Sequence, residues 1–109
     1  MTKILVYDKK KFMYRFIKSN FERIGNFNVT KTDNQINFVH KIDYLIVTYY
    51  DESDIIFFAD IYKKKKDIIL LYADTNDVKR ILEICVSLNS VNISNHKSEI
   101  FATLKNIIK

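Results

Sequence analysis

The chain has little of several residue types that particular functions require, with one cysteine, one glycine and no proline. The single Cys85 permits no internal disulfide and is typical of a reducing compartment, so we expect a cytoplasmic protein. One glycine cannot supply a glycine-rich loop for cradling phosphates. His40 and His96 stand in no metal-ligand spacing with Cys85, and no serine–histidine–acid or cysteine–histidine arrangement is present. The sequence therefore predicts a protein that is not an enzyme.

Long apolar runs are also missing, since none approaches the roughly 18–20 residues of a transmembrane helix, and the first residues lack the features of a signal peptide. The 109 residues are 48% apolar and 28% charged, which predicts one soluble globular domain spanning residues 1–109. We expect no membrane association.

The net charge is +5, and lysines are grouped at 9–11 and 63–66. Such runs could contact phosphates, so a basic nucleic-acid-associated protein is one hypothesis. The chain is also rich in Ile, Asn, Tyr and Phe, which indicates a bias in its overall composition. Such a bias raises the number of lysines even where no ligand requires them. Charge alone is therefore a weak indication of nucleic-acid binding.

Five short apolar runs predict strands at residues 3–8, 27–32, 44–48, 67–72 and 91–95. Helical spacing fills the intervals between them and follows the last one. The first helix has an apolar stripe and ends at Gly25. The stripe of the first helix is Phe12, Met13, Phe16, Ile17, Phe21 and Ile24. The second helix has Ile36, Phe38 and Val39, and the third has Ile55, Ile56, Phe58, Ala59 and Tyr62. The fourth helix is predicted from about Asn76 to Leu88, and the last helix has Ile100, Phe101, Leu104, Ile107 and Ile108. Asp33 or Asn34 is predicted to cap the second helix, and Ser53 or Asp54 the third.

This β-α alternation predicts an α/β fold, because strands joined by helical crossovers lie parallel with helices on both faces. Five units fit a flavodoxin-like doubly wound (βα)5 three-layer sandwich with sheet order 2-1-3-4-5. The functional crevice of such a sheet lies where the carboxyl ends of strands 1 and 3 meet. Residues expected at that edge are Asp8, Lys9, Thr48, Tyr50, Asp51, Tyr72, Asp74 and Asn95.

The first strand, residues 3–8, resembles the opening strand of response-regulator receiver domains of the CheY type. In that family the strand ends in two adjacent acids that help hold a magnesium ion, which requires oxygen ligands. Here the first acid is Asp8 and the second position is occupied by Lys9. An ammonium group cannot ligate a cation and repels one, so the resemblance implies no metal site, with Asp8 as the remaining candidate ligand.

Residues 43–48, which include the third strand, match the receiver pattern of an acid, four apolar residues and the phosphate-accepting aspartate. Thr48 takes the acceptor position, and its hydroxyl is a weaker nucleophile than a carboxylate. Asp51 is the alternative acceptor. In that case the chain is an atypical receiver that is phosphorylated on Asp51 in a two-component phosphorelay and uses Mg²⁺ as its cofactor. Side-chain alternation favours Thr48, because odd spacing sends Asp51 to the other face.

Two further positions depart from the receiver family. Tyr72 stands where receivers carry a small hydroxyl at the end of strand 4, and it is expected to fill the space that a phosphate needs. Ser94 and Asn95 stand where receivers carry a lysine at the end of strand 5. The resemblance therefore implies a degenerate pseudo-receiver that keeps the scaffold without aspartyl phosphorylation and acts through protein–protein contacts.

The position of Lys9 leads to two readings of its side chain. Its ammonium either neutralises Asp8 and at times Asp51, or is solvated beside the crevice. In receivers the face of helix 4, strand 5 and helix 5 binds dimer partners and effectors. The resemblance implies a protein partner at this face, either another protein or a second copy of the chain in a homodimer. The residues expected to form the face are Lys79, Glu83, Ser87, Asn92, Lys97 and Lys105.

Overall fold

Seven complete elements define the fold in the computed structural model. The model describes residues 1–32, 42–51, 53–54, 58, 67–73, 79–81, 83 and 88–108. The elements are β1 (Thr2–Tyr7), α1 (Phe12–Ile24), β2 (Phe27–Thr32), β3 (Tyr44–Tyr49), β4 (Ile68–Tyr72), β5 (Asn89–Asn92) and α2 (Lys97–Ile107). Helical residues also follow β3, at Ser53, Asp54 and Phe58, and precede β5, at 79–81 and 83.

The strands of the described residues form one parallel sheet in the order β2-β1-β3-β4-β5. This confirms the predicted topology. At the carboxyl edge the pairing register places Tyr7 beside Val47 and Thr32, and Tyr49 beside Tyr72. Because all the strands run the same way, the segments that follow β1 and β3 leave the sheet side by side. This edge is where the candidate site lies.

Alternating strand residues pack on opposite faces of the sheet, as a period of two requires. On one face, strand residues pack against α1 and α2, and on the other they pack against Phe58, Ile81 and Leu88. The first layer includes Ile4, Val6, Ile46, Ile69, Leu71, Ile17, Phe21 and Leu104, and the second includes Leu5, Tyr7, Leu45, Val47, Tyr49 and Leu70. The middle strands are apolar without a break because both of their faces are covered.

Helix α1 buries Met13, Ile17 and Phe21, which recur at every fourth residue. The predicted stripe was too wide, because Phe12 is 68% exposed and Ile24 is 51% exposed. Phe12 is rotated about 100° around the helix from Met13, so it leaves the face that meets the sheet. The prediction that α1 ends at Gly25 is confirmed, since Gly25 has φ 89° and its N–H donates to Glu22 O.

The fifth strand begins and ends earlier than predicted, at Asn89–Asn92. Val91 is its buried residue, and Asn92 ends the strand by turning its Oδ1 toward the N–H of Ser94. Ser94 and Asn95 therefore lie in the turn after the strand. No helix in the described part of the chain is both long and apolar enough to cross a bilayer.

Several predictions fall outside the described residues. They are the second helix with its stripe Ile36, Phe38 and Val39, the residues Ile55, Ile56, Ala59 and Tyr62 of the third helix, the lysines at 63–66, most of the helix from 76 to 88, and the individual residues His40, Asp74, Cys85 and Ser87. Phe58 is described, and it is helical and buried as predicted.

Candidate functional site

The carboxyl edge of the sheet brings together the segments that leave β1 and β3. Asp8 and Lys9 follow β1, while Tyr50 and Asp51 follow β3. Asp54, which was not among the predicted site residues, joins them as a fully buried carboxylate. The segments that leave β1 and β3 thus carry three carboxylates and the Lys9 ammonium group, which contacts two of them.

The Asp8 carboxylate accepts four hydrogen bonds. Its Oδ1 accepts from the N–H of Lys10 at 3.1 Å and from the Tyr50 hydroxyl at 2.5 Å. Its Oδ2 accepts from the N–H groups of Met13, at 2.7 Å, and Tyr14, at 3.0 Å. An ionised carboxylate offers about four lone-pair sites. All of them are used within the chain.

Asp8 therefore caps α1 from outside the helix. The residue at the N-cap position, Lys11, has φ 64° and gives no side-chain cap. The first N–H groups of a helix have no partner inside it, and an anion near them also opposes the positive end of the helix dipole. Burial, and then the hydrogen bond to Asp8, raise the pKa of the Tyr50 phenol. Tyr50 consequently stays a neutral donor to this carboxylate.

Lys9 pairs with the segment after β3. Its Nζ lies 2.5 Å from Asp51 Oδ2, 2.9 Å from Ser53 Oγ and 3.6 Å from Asp54 Oδ2. Of the two predicted partners of Lys9, Asp51 is paired with it and Asp8 is not, because the Asp8 carboxylate accepts from α1 and Tyr50 instead. The hydrogen bond to Asp51 raises the pKa of Lys9.

Asp51 is the cap of the helical segment that follows β3. Its Oδ1 accepts from the N–H of Ser53 at 3.0 Å, while Asp54 Oδ2 reaches back to the N–H of Asp51 at 3.1 Å and to that of Tyr50 at 2.7 Å. This reciprocal arrangement is a capping box, so the predicted cap at Ser53 or Asp54 was placed two or three residues too late. Hydrogen bonds from Lys9, and then from Ser53, lower the pKa of Asp51 to about 2.

Asp54 also accepts a hydrogen bond from the Tyr7 hydroxyl at 3.2 Å. Burial and the nearby Asp54 raise the pKa of Tyr7 to about 12. The spacing Asp51-x-x-Asp54 was the sequence signal for this pair of carboxylates. Tyr7 gave no comparable signal, because a tyrosine in an apolar strand is most simply a core residue.

Thr48, the residue at the predicted acceptor position, is fully buried. It alternates with Val47 and Tyr49, so it lies on the face covered by α1 and α2, and its Oγ1 has no hydrogen-bond partner within the described structure. Tyr72 is in register with Tyr49 and packs on the opposite face. The sheet therefore separates the side chains of Tyr72 and Thr48.

The remaining predicted residues lie away from this site. Asn95 is exposed, three residues beyond the end of β5, and the half-buried Asn92 accepts from the N–H of Ser94. Lys79 and Glu83 are exposed, as are two lysines of α2. These two are Lys97, whose Nζ lies 5.9 Å from the ring centroid of Phe16, and Lys105, whose Nζ lies 5.5 Å from that of Phe101.

Within the described residues, no three His, Cys, Asp or Glu side chains are close enough together to hold a metal ion. At the carboxyl edge, the carboxylate of Asp8 is used by α1 and Tyr50, and those of Asp51 and Asp54 are used by the helical segment after β3. The arrangement can cap two helical segments and fix the loops between them.

Comparisons with known proteins identify the fold. No family model matches the chain, and no curated protein matches it. Among solved structures, the non-phosphorylated HemR receiver domain from Leptospira biflexa is similar, with 16% identity and a TM-score of 0.73, over 100% of this chain and 95% of that one. A pilus assembly-related protein from Burkholderia pseudomallei is also similar, with 13% identity and a TM-score of 0.65, over 98% and 89% of the two chains. The chain therefore has the CheY-like receiver fold.

Proposed function

We propose that the chain is a pseudo-receiver, a non-enzymatic signalling or scaffolding module that works through protein–protein contacts in the cytoplasm and is not phosphorylated on aspartate. The observation that carries this proposal is the set of hydrogen bonds accepted by the Asp8 carboxylate. All four of its hydrogen-bond positions are filled by groups of the chain itself. The acid that a receiver uses for its metal is here part of the scaffold.

The residues present do not fit a magnesium ion. Mg²⁺ requires near-octahedral oxygen ligands and gives up its water reluctantly. Asp8 has no free lone pair, and the Lys9 ammonium lies between Asp51, Ser53 and Asp54, where it satisfies those oxygens and repels a second cation. We infer that the module works without a metal cofactor.

The acceptor positions support the same proposal. Thr48 is fully buried, so a phosphodonor cannot reach its hydroxyl. Asp51 is the alternative acceptor, because its side chain is 58% exposed and its low pKa keeps it ionised. Its carboxylate is nevertheless held by Lys9 and Ser53, and those contacts reduce its strength as a nucleophile. The experiment must therefore distinguish a pseudo-receiver from an atypical receiver that is phosphorylated on Asp51.

Phosphodonor treatment tests the proposal directly. The chain is incubated with Mg²⁺ and either acetyl phosphate or beryllofluoride, beside a phosphorylatable receiver domain, and the mass of the intact protein is measured under native conditions. We expect the control domain to be modified and this chain to keep its mass. An adduct that disappears in Asp51→Asn would establish the atypical receiver, and any other aspartyl adduct would also overturn the proposal.

Metal titration gives a second test. A ligand that binds only the native state raises its stability, by about 2.7 kcal/mol at a hundred times Kd. We expect the thermal midpoint of this chain to be the same in MgCl₂ as in NaCl of equal ionic strength. A midpoint that rises with Mg²⁺ alone would contradict the absence of a metal site.

Four exposed side chains come from α2 and from the helical residues before β5. We propose that Lys79, Glu83, Lys97 and Lys105 belong to a partner surface like that of receivers, either for a second copy of the chain or for another protein. Light scattering of the chain, and of a Lys97→Glu, Lys105→Glu variant, distinguishes these two occupants. A dimer that dissociates in the variant indicates a second copy.

A further inference from the structure

The loop between β1 and α1 is held in one conformation by Asp8. The Asp8 carboxylate accepts from the N–H of Lys10, and its carbonyl oxygen accepts from the N–H of Lys11 at 3.1 Å. Lys11 has φ 64°, a conformation that side-chain-bearing residues adopt only when their surroundings impose it. The next residue, Phe12, leaves this turn with 68% of its surface exposed. A fixed, strained loop thus presents an aromatic side chain to solvent.

A cavity of about 270 Å³ lies beside this loop, lined by Asp8, Lys11, Lys31 and Thr32. Lys31 reaches it from the carboxyl end of β2, which pairs with β1. Among these described lining residues, two lysines outnumber the one carboxylate, and the oxygens of that carboxylate are already turned to groups of the chain itself. Arg15 is exposed one helical turn after Phe12 and adds a third cation.

We propose that this loop surface, made of Lys11, Phe12, Arg15 and Lys31, binds an acidic segment of a protein partner. An apolar side chain of the segment packs on Phe12, and a carboxylate enters the cavity between Lys11 and Lys31. The inference deepens the proposed function, on which it rests, by giving the chemical class of the partner. Aromatic residues and arginine are enriched in protein–protein interfaces.

Charge complementarity favours an acidic protein over the other occupants. A second copy of the chain also has a net charge of +5, so two loop surfaces repel each other. Nucleic acid requires a series of cations along a groove. In the described part of this edge, Lys9 is bound to Asp51, and Lys10 lies 4.7 Å from the ring centroid of Tyr50. A short acidic segment needs only the cations that remain.

Peptide binding tests the inference on the full chain. The probe is a short fluorescein-labelled peptide rich in Glu and Asp with a central Leu, and fluorescence anisotropy follows its binding. A matched peptide with Gln and Asn in place of the acids is the control, and labelled oligo(dT) is the nucleic-acid arm. We expect saturable binding of the acidic peptide only.

Variants locate the binding. Phe12→Ser, Lys31→Glu and Lys11→Asn are each expected to weaken it by about tenfold or more, which corresponds to about 1.4 kcal/mol. Asparagine keeps the left-handed conformation at position 11 while removing the charge. Ile24→Ser and Lys3→Glu, at exposed positions away from the loop, serve as matched controls and are expected to bind normally.

Three results would overturn the inference: no binding of the acidic peptide, tighter binding of oligo(dT), or equal loss in the control variants. Phosphodonor treatment reports on the proposed function separately. A chain that forms no adduct and binds no peptide would contradict this inference alone, whereas an adduct on aspartate would contradict the proposed function.

Discussion

A single carboxylate cannot serve a metal ion and a helix N-terminus with the same lone pairs. In this chain Asp8 serves the helix, since it accepts from two N–H groups of α1, from the loop and from Tyr50. With 6% of its surface exposed, it is also closed to solvent. At the scale of single residues, Asp8 is therefore expected to behave as a stabilising group.

Asp8→Asn tests this behaviour. The amide presents an NH₂ group to donors where an oxygen now accepts, so we expect the free energy of unfolding to fall by about 2 kcal/mol. Urea denaturation followed by circular dichroism measures the change. Tyr50→Phe removes one of the four hydrogen bonds and is expected to cost about 1 kcal/mol. A more stable Asp8→Asn variant would show instead that the carboxylate is kept for a ligand.

The pairing of Lys9 with Asp51 has a signature in the acid titration of Asp51. Its folded pKa is about 2, below the ordinary value of 3.8, so its stabilising effect is complete above pH 3.8 and is lost as the pH falls toward 2. In Lys9→Met we expect its pKa to rise toward, but not reach, 3.8, because Ser53 still donates to it. Carboxyl ¹³C NMR measures this, with Lys10→Met as the matched control. An unchanged titration in Lys9→Met would contradict the pairing.

At the scale of elements, all three carboxylates at the site accept hydrogen bonds at the starts of helical segments. The Asp8 side chain caps α1 from three residues before its N-cap, and Asp51 with Asp54 forms a reciprocal box at the segment after β3. These caps fix how the chain leaves the sheet at its carboxyl edge. The end of α1 depends on backbone conformation instead, at Gly25 and Asn26, with φ of 89° and 66°.

Gly25→Ala tests that helix end. With φ 89° and ψ 160°, Gly25 occupies a region that is nearly restricted to glycine, and an added Cβ would meet no atom within 4 Å. The loss is therefore backbone strain alone, and we expect about 1–3 kcal/mol by urea denaturation. Asn26→Gly, at the neighbouring positive φ, is expected to leave stability nearly unchanged. Equal losses at both positions would contradict a conformational cause.

The sequence supports the strands better than the site, for a physical reason. Apolar runs such as residues 44–48 must be buried on both faces, so they predict β3 directly, and the β-α alternation then fits the sheet order. The contacts of Asp8 depend on where other segments return in space, as with the Tyr50 hydroxyl and the N–H of Met13. The Asp51-x-x-Asp54 spacing was readable as a capping box. The exposure of Phe12 was not, because it depends on the loop conformation at Lys11.

At the scale of the whole molecule, one sheet supports two apolar layers. Central strand β3 contributes Ile46 to the layer under α1 and α2, and Leu45 and Val47 to the opposite layer. The same strand then leads into Tyr50 and Asp51 at the carboxyl edge. Because the site lies where the chain leaves both layers, its geometry depends on the packing of each of them.

Shortening a buried side chain on either face of β3 is therefore expected to destabilise the whole chain, which still unfolds in one cooperative transition. Ile46→Ala and Leu45→Ala each remove a fully buried side chain, and we expect losses of about 2–5 kcal/mol, with Ser98→Ala as a surface control. Far-ultraviolet circular dichroism follows the backbone, and fluorescence of the seven tyrosines follows packing. Since both layers share the strand, the two signals should have one midpoint in every variant. Separate midpoints in Ile46→Ala would show that the layers fold independently, and the edge between them would then lose its common support.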